Sequence, residues 1–324
     1  MKKICLLIIV LTSVLVSCSP RRYSTQFFEY FDTVVSIDGY FKSAEDFEKA
    51  CKTVEEILRE YDEIFDIYSY GELKRLNDTK KTEISLKLAN AIAFGIKAEN
   101  VTNGYCNIAM GSVLSLWHEA RESETPYLPD VAELERAAQH TDISGLSYQA
   151  HSTDSVEITL SDSEMSLDMG AVAKGIVSDI LRERLTLEGF DNLIVNMGGN
   201  VVVIGDKDGS GWTVGIQNPD SNGIAESVRV TDSCLVTSGS YQRYFEYNGK
   251  RYHHIISPDT LFPSDRYKSV SVLYENGAWA DALSTALFNM TVEDGEKILE
   301  QFENIGVMWI ITDGEYIYYG TLEK

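Results

Sequence analysis

The sequence predicts an α+β fold of mainly antiparallel sheets with flanking helices, an arrangement that could be divided into two lobes. Residues 44–65 place apolar side chains at helical spacing with acidic side chains between them, which predicts an amphipathic helix. Residues 31–40 alternate apolar and polar side chains as a half-buried strand does. Asn248-Gly249 and Asp313-Gly314 separate short apolar segments and are typical of hairpins, which join antiparallel strands. No internal repeat or low-complexity linker interrupts the chain, which favours one mixed domain.

The other elements of the first half follow from local patterns. Residues 86–102 have helical spacing and end at Asn103-Gly104, a helix stop signal. Residues 107–117 mix small and apolar side chains. A polar loop over 126–129 leads to a helix start at Asp130, since aspartate is a favoured N-cap residue.

The second half alternates short strands with two helices. Its apolar stretches are bounded by glycine, asparagine and aspartate, which are the usual turn residues. The predicted strands are 156–160, 193–195, 201–204, 212–217, 228–236, 244–247, 252–256, 270–274, 307–312 and 316–321, and the predicted helices are 280–290 and 292–302.

The N-terminus is predicted to be an export signal. Lys2 and Lys3 precede an apolar run over 4–11, and small residues follow before Cys18. Leu-Val-Ser before Cys18 resembles a bacterial lipobox, in which this cysteine would be lipidated and become the first mature residue. A plain secreted protein or a signal anchor is the alternative. We therefore expect a signal peptide over 1–17, a tether over 18–30 and a domain over 31–324, lipid-anchored in the bacterial cell envelope outside the cytoplasm.

The charge and the cysteines exclude several classes of function. A formal net charge of −22 argues against nucleic acid as a partner, because phosphate backbones repel an acidic surface. Outside the export segment the cysteines are Cys51, Cys106 and Cys234, which are few and widely spaced. They suggest neither a disulfide framework nor a CxxC zinc site.

Residues 166–179 (SLDMGAVAKGIVSD) predict a strand, a turn and a helix. Asp168 and Gly170 lie in the turn, and Lys174 falls in the first turns of the helix. A helix N-terminus offers unpaired N–H groups and a positive dipole end, which suits an anion such as a phosphate, and Lys174 could add a charge. The alternative is an ordinary strand-to-helix connection with a solvated lysine.

Asp281 and Thr285 lie one helical turn apart and therefore share a helix face. A carboxylate and a hydroxyl are hard oxygen ligands of the kind that Mg²⁺ takes before water and substrate phosphates complete its coordination. The alternative is that Asp281 caps the helix and Thr285 is a packing residue.

His253 and His254 are adjacent on a predicted strand, so their side chains point to opposite faces. One could act as an acid or base near neutral pH. An adjacent pair is poorly arranged for zinc, and no cysteine or third histidine lies nearby. A structural role for each histidine is the alternative.

Several ordered motifs carry a family resemblance. They are Phe31-Asp32-Thr33; Tyr68 with 72–77 (ELKRLN); Leu116-Trp117; 167–175 (LDMGAVAKG); 196–200 (NMGGN); Thr237-Ser238-Gly239; 254–258 (HIISP); and 280–285 (ADALST). Each is weak alone, but the ordered set resembles the ApbE-type FAD:protein FMN transferases over about residues 31–288. These are exported enzymes that attach FMN by a phosphoester bond to a threonine of a partner protein.

The resemblance implies a metal site and a catalytic pair. Mg²⁺ would be held against the FAD pyrophosphate by Asp281, Thr285 and the backbone carbonyl of Ala171, with Ser284 where some members have another acid. His254 matches the functionally important histidine of the family, and we expect it to act as a base toward the incoming threonine.

The resemblance also implies positions that contact FAD, which would be a substrate. Tyr68 would stack on a flavin or adenine ring. The other implied positions, some acting through backbone atoms, are Phe31, Tyr105, Cys106, Asn107, Asp168, Lys174 and Ile256. The partner would be an acceptor protein with a threonine site, expected in a membrane redox subunit.

Four positions depart from the pattern of the family. Asn107 and Ala109 stand where members commonly have aspartate and threonine, so one contact loses its charge. Ser257 and Leu261 replace an acid and a glycine after the histidine, which suggests a changed loop and puts rate or acceptor choice in doubt. The alternatives to a transferase are a Mg²⁺-dependent FAD pyrophosphatase that yields FMN and AMP, and a non-catalytic FAD-binding lipoprotein.

Overall fold

The structure is a computed structural model that describes residues 19–150, 152–207 and 209–322. The predicted signal peptide and Cys18 lie outside these residues. Within the described ranges, no helix is long and apolar enough to cross a membrane.

Fifteen strands and eight α-helices are present in the described residues. The helices are α1 (Ala44–Phe65), α2 (Glu72–Thr79), α3 (Leu86–Val101), α4 (Gly111–Glu122), α5 (Val131–Ala137), α6 (Ala173–Leu187), α7 (Gly277–Asn289) and α8 (Val292–Leu299), with 3₁₀ turns at Ala138–His140 and Ile143–Gly145. The strands are β1 (Arg21–Tyr30), β2 (Thr33–Phe41), β3 (Lys81–Ser85), β4 (Leu146–Ala150), β5 (Ser155–Leu160), β6 (Leu193–Met197), β7 (Asn200–Ile204), β8 (Trp212–Gln217), β9 (Ile224–Val230), β10 (Cys234–Gly239), β11 (Tyr244–Tyr247), β12 (Lys250–His253), β13 (Tyr267–Tyr274), β14 (Gly306–Ile311) and β15 (Tyr316–Gly320).

The main sheet has eight strands among the described residues, in the order β1-β2-β6-β7-β10-β13-β14-β15. Every neighbouring pair in it is antiparallel. The predicted fold class, α+β with mainly antiparallel sheets and flanking helices, is therefore confirmed.

Both faces of the main sheet are covered. Helices α6 and α7 pack on one face, and α1 packs on α6. The hairpin β8–β9 covers part of the other face through Trp212, Val214 and Ile216. Strand β7 is buried along its whole length because it contributes side chains to both layers.

Two smaller units flank the main sheet. One is the sheet β3-β5-β4, and the other is the hairpin β11–β12. The hairpin packs on α4, where Trp117 stacks on Tyr252 with ring centroids 6.0 Å apart and lies against Phe245. The indole N–H of Trp117 donates to the Leu261 carbonyl at 2.9 Å, which fixes the loop after β12.

The predicted tether over 18–30 is corrected by the structure. Residues 21–30 form β1, which pairs with β2 from Arg21 to Tyr30 with one register shift. The physical reason is an alternation that the sequence reading overlooked: Tyr23 and Phe27 pack against the core while their neighbours face outward, and Tyr23 stacks on Phe47 at 5.3 Å. Strand β1 therefore begins only three residues after Cys18 in the sequence.

Candidate functional site

A cleft of about 1130 Å³ opens at one end of the main sheet, where the β1–β2 and β6–β7 turns lie. All predicted cofactor, catalytic and metal residues in the described chain except Ser284 line it. They are Phe31, Tyr68, Tyr105, Cys106, Asn107, Asp168, Ala171, Lys174, His254, Ile256, Asp281 and Thr285. Segments separated by more than two hundred positions in the sequence thus meet in one cavity.

Helices α6 and α7 present carboxylates to each other's N-termini. Asp281 of α7 accepts the Gly175 N–H of α6 at 2.8 Å. Asp179 of α6 accepts the N–H groups of Gly277 and Ala278 of α7 at 2.8 and 2.9 Å. Each carboxylate satisfies donors that a helix start leaves unpaired. The anion at the start of α6 is therefore a carboxylate of the protein itself, which the sequence did not predict.

Glycine is required where these two helices meet. A Cβ on Gly175 would lie 2.3 Å from the Gly277 carbonyl oxygen and 2.5 Å from Asp281 Cβ. A Cβ on Gly277 would lie 2.8 Å from the Gly175 carbonyl oxygen. These distances are shorter than van der Waals contact, so only glycine allows the backbones to touch. The close approach is what brings Asp281 into the cleft.

The Asp281 carboxylate lies in a desolvated position. The residue is only 4% exposed, and burial raises the pKa of its carboxyl group, an effect that the positive charge of Lys174 opposes. The side chain of Asn200, also buried and also lining the cleft, lies beside the Asp281 carboxyl group and likewise opposes the rise in its pKa, although Nδ2 makes no hydrogen bond of full geometry among the described residues. The site therefore contains a buried carboxyl group with a lysine and an asparagine beside it.

Ser284 lies behind the cleft surface. It is fully buried, and its Oγ donates to the Asp281 carbonyl at 2.9 Å and lies 2.8 Å from Ser238 Oγ. These contacts tie α7 to β10. Its role as a metal ligand stays a prediction.

Asp168 lies in a rigid turn before α6. Its backbone N–H donates to the Ile108 carbonyl at 2.8 Å, and its carboxylate accepts the Gly170 N–H at 2.7 Å. Asn77 bonds both the N–H and the carbonyl of Leu167, each at 2.8 Å. Burial raises the pKa of the Asp168 carboxyl group. The turn is thus fixed from both sides.

Tyr68 forms an aromatic wall. Its ring stacks on His118 with centroids 4.3 Å apart and an interplanar angle of 24°, yet the residue remains 55% exposed. The Asp66 carboxylate holds the loop by accepting the N–H groups of Tyr68, Ser69 and Tyr70. Desolvation raises the pKa of Tyr68 to about 12, so the ring is a neutral stacking surface at physiological pH.

Tyr105 and Asn107 hold neighbouring loops. The Tyr105 hydroxyl donates to Asp259 Oδ2 at 2.6 Å. Asn107 Oδ1 accepts the Ala109 N–H at 2.7 Å, and its Nδ2 donates to the Thr141 carbonyl at 2.9 Å. The side chain that departs from the family pattern is therefore used to fix a turn. Cys106 and Ile256 are buried beside the cleft.

His254 faces the cleft in a defined orientation. Its Nδ1 lies 3.2 Å from the Arg243 carbonyl, which also accepts the His254 N–H. A carbonyl only accepts, so Nδ1 carries the proton and Nε2 has the free lone pair. Desolvation by the surrounding protein, together with the positive charges of Arg243 and Lys174, lowers the pKa of His254, although the residue itself is exposed. The ring is therefore neutral at pH 7.

The adjacent His253 is held in the core. Its Nε2 donates to the Ser264 carbonyl at 2.7 Å, its Nδ1 accepts the Ile255 N–H at 3.2 Å, and its ring lies edge-on to Phe288. Both ring nitrogens are thus occupied, as the structural alternative for this histidine anticipated.

Sequence reasoning missed Arg243 and Asp62. The tip of the β1–β2 hairpin places Phe31 and Asp32 at φ of 53° and 49°, a left-handed conformation that is unfavourable for residues other than glycine. Arg243 donates to the carbonyls of Phe31 and Asp32 at 2.6 and 3.0 Å, and Asp62 accepts the Phe31 N–H at 2.9 Å. No local pattern around Arg243 signals this contact, which spans 212 positions.

At Leu261, one of the departures from the family pattern, φ is +60°. Leucine thus occupies a backbone conformation that glycine adopts readily. In the described ranges, the cleft included, no group of three or more histidine, cysteine, aspartate or glutamate side chains could hold a metal ion.

Comparison with known proteins identifies the family. A curated FAD:protein FMN transferase of Treponema pallidum is 34% identical over 244 residues, which cover 70% of this chain and 65% of that protein. The chain thus aligns with just under two thirds of that relative. One of Vibrio cholerae is 29% identical over 276 residues, or 83% of this chain and 81% of the relative.

Solved structures have the same fold. The ApbE protein of Thermotoga maritima superposes with a TM-score of 0.81 at 26% identity, covering 92% of this chain and 96% of that one. The flavin transferase ApbE from Vibrio cholerae gives a TM-score of 0.78 at 25% identity, covering 93% and 98%. The ApbE family profile matches residues 31–309, and the chain belongs to the ApbE family.

Proposed function

We propose that this chain is a FAD:protein FMN transferase that moves FMN from FAD to a threonine hydroxyl of an acceptor protein. The acceptor oxygen attacks the phosphorus of the FMN half and forms the new phosphoester bond. The bond from that phosphorus to the bridging oxygen breaks, and the bridging oxygen leaves with AMP. The hydroxyl proton passes to a base. Family membership and the curated names of the relatives support this reaction class.

The orientation of His254 is the observation that carries the proposal. The Arg243 carbonyl holds the proton on Nδ1, so the unprotonated Nε2 is available to accept the hydroxyl proton. The lowered pKa keeps the ring neutral. A carrier needs only to bind FAD and has no use for an oriented neutral base next to the cofactor residues.

Asp281, Thr285 and the Ala171 carbonyl suit Mg²⁺. All three line the cleft and offer oxygen atoms, the ligands that this ion prefers, with coordination left for water and phosphate oxygens. The buried Asp281 carboxylate, whose pKa is raised by desolvation, gains a counter-charge when a cation binds. When bound, Mg²⁺ would neutralise the charge that develops on the pyrophosphate.

The remaining residues bind and orient the substrate. We assign Lys174 to the pyrophosphate, because this residue lies in the first turn of α6, lines the cleft, and its charge acts on Asp281. Tyr68 offers an exposed neutral ring for stacking. Asp168, fixed in its turn, would contact a polar group of FAD. In such a reaction most of the rate enhancement comes from positioning and charge neutralisation.

We further propose that Cys18 carries the lipid anchor and that the enzyme acts in the bacterial cell envelope. The acceptor would then be a subunit of a membrane redox complex, exposed on the same side of the membrane. The lipobox-like sequence before Cys18 supports this assignment.

The test uses the full-length chain purified in detergent, with FAD, Mg²⁺ and an acceptor domain containing a candidate threonine. Flavin fluorescence of the acceptor on a denaturing gel is followed together with AMP release. We expect covalent labelling that EDTA abolishes and that falls by about 10²-fold or more in His254→Gln and Asp281→Asn. Asp313→Asn, an exposed turn residue, is the matched control.

The outcomes separate the alternatives. AMP release without labelling of any acceptor would replace the transferase by the pyrophosphatase, in which water takes the place of the threonine hydroxyl. Tight FAD binding with neither product would replace it by a carrier. Wild-type rates in His254→Gln would refute the role of this histidine.

A further inference from the structure

The cleft extends beyond the residues assigned to FAD, onto the opposite face of the main sheet. One row of residues runs straight across five neighbouring strands, each residue paired with the next: Gln26 on β1, Ser36 on β2, Asn196 on β6, Val201 on β7 and Leu235 on β10. Residues paired in this way project from the same face of a sheet. All five line the cleft, so it continues across the strands on the side away from α6 and α7.

The apolar side chains of Val201 and Leu235 form the floor of this part of the cleft. We define the amide groove by the polar side chains that line the same part, which are Gln26, Ser36, Asn196, Gln217 and Gln242. None of these side chains is charged. The charged groups assigned to the pyrophosphate and the metal project into the cleft from α6 and α7, on the other face. The amide groove therefore lacks the features that bind phosphate or a cation.

We propose that the amide groove binds an extended segment of the acceptor protein and delivers its hydroxyl residue to His254, an inference that rests on the proposed function. A side-chain amide both donates and accepts hydrogen bonds, as a peptide group does, so amides pair well with an extended backbone. The cleft, of about 1130 Å³, is at the upper end of the sizes usual for ligand sites and extends over this face beyond the residues assigned to FAD.

The turn between β6 and β7 connects the amide groove with the reaction side. Its residues Gly198 and Gly199 have φ of +59° and +102°. A Cβ on Gly198 would lie 2.0 Å from Thr33 Oγ1, and one on Gly199 would lie 2.9 Å from Gln242 Nε2. The glycines therefore allow the turn to pack against Thr33 and Gln242, and this contact holds Gln242 at the edge of the amide groove.

Two exposed apolar side chains lie beside the amide groove on the same face. Phe28 on β1 is 69% exposed, and Val34 on β2 is 44% exposed and lines the cleft. Exposed apolar groups next to polar groups that can form hydrogen bonds are typical of surfaces that bind proteins. They would contact the acceptor outside the segment that enters the groove.

The test measures binding separately from catalysis. The probe is the flavin-carrying domain of a membrane redox subunit, fluorescently labelled, with its target threonine replaced by alanine. Its affinity for the full-length chain in detergent, loaded with FAD and Mg²⁺, is measured by anisotropy. The variants are Gln26→Ala/Gln242→Ala and Ser36→Tyr, which fills the groove. Gln149→Ala, an exposed glutamine on β4, is the matched control.

We expect both groove variants to weaken acceptor binding by about tenfold or more while FAD affinity and the Gln149→Ala control stay unchanged. Unchanged acceptor binding in the groove variants overturns the proposal. An equal loss of FAD affinity also overturns it, because the groove would then belong to the flavin site. The proposal is also overturned if the wild type does not bind the probe. If the wild type binds the probe but never labels the reactive domain, the transferase is rejected and the groove stands.

Discussion

Gly175→Ala perturbs the contact that brings Asp281 into the cleft. The new Cβ would meet three atoms of α7: the Gly277 carbonyl oxygen at 2.3 Å, Asp281 Cβ at 2.5 Å and Ala278 Cα at 2.9 Å. Two of these are backbone atoms, which cannot move without moving the helix. The helices must therefore separate, and the 2.8 Å bond from the Gly175 N–H to Asp281 lengthens.

The size of the effect follows from two opposing contributions. Forcing an extra methyl group into a packed contact costs about 1–3 kcal/mol. Replacing glycine by alanine inside a helix returns about 0.5–1 kcal/mol. Because two of the three contacts are with backbone atoms, the overpacking cost falls in the upper part of its range, and we expect a net loss of about 1–2 kcal/mol in the free energy of unfolding. Gly295→Ala in α8 is the matched control, because its Cβ closely approaches only a side-chain atom, Leu287 Cδ2 at 2.6 Å.

Urea denaturation measures the stability of both variants, and titration of transfer activity with Mg²⁺ measures the metal site. We expect Gly175→Ala to lose stability and to need more Mg²⁺ for half-maximal activity, while Gly295→Ala stays close to the wild type in both. If Gly175→Ala is as stable as Gly295→Ala and needs no more Mg²⁺, the rigid contact does not position Asp281 and the reasoning is refuted.

Three other substitutions test the site. Burial raises the pKa of Asp281, so its ionisation costs stability as the pH rises through that pKa. We therefore expect Asp281→Asn, without metal, to be at least as stable as the metal-free wild type in urea at pH 7.5. The difference in stability should disappear at about pH 4, where the carboxyl group of the wild type is protonated in both states. A variant that is less stable at pH 7.5 would show that ionised Asp281 stabilises the fold. Arg243→Gln removes both bonds to the Phe31–Asp32 turn and a positive charge beside His254. The variant should slow transfer by about 10- to 100-fold. It should also move the acid limb of the pH–rate profile to higher pH, because the pKa of His254 rises when the positive charge is lost. A slower rate with the acid limb at its original pH would indicate a structural role alone. At Leu261, with φ of +60°, glycine should be more stable than alanine by about 1 kcal/mol in thermal or urea unfolding, the reverse of the usual order; the usual order would show that the turn is unstrained.

Local patterns in the sequence predicted many of the elements but not all of them. The spacing of Val54, Leu58 and Phe65 gave the bounds of α1 correctly, because one buried face repeats over 22 residues. The predicted strand 228–236 is instead two strands, β9 and β10, separated by a turn at 231–233. Helix α2 and strands β3 and β4 are short, and packing against neighbours determines them more than their own pattern does.

The site could be predicted only in part for the same reason. The spacing of Asp281 and Thr285 indicated a shared helix face, but nothing local indicated that this face meets Asp168 and Lys174. The resemblance to a family supplied that juxtaposition, and the structure places these residues in one cleft. Arg243 and the amide groove depend on tertiary contacts and on strand register, which no motif encodes.

The position of β1 constrains how an anchored enzyme meets its acceptor. If Cys18 is lipidated as proposed, the three steps from it to Arg21 reach at most about 11 Å, so the start of β1 stays close to the bilayer. The ten residues of β1 span at most about 33 Å to the hairpin tip at the cleft, which sets an upper limit to the height above the membrane at which the cleft can lie. Cys18→Ser releases this constraint. Because anchoring raises the effective concentration of two partners in one membrane, we expect the variant to label a membrane-embedded acceptor more slowly and a soluble acceptor domain at the wild-type rate. If Cys18→Ser labels both acceptors at the wild-type rate, the anchor does not bring the enzyme to its partner.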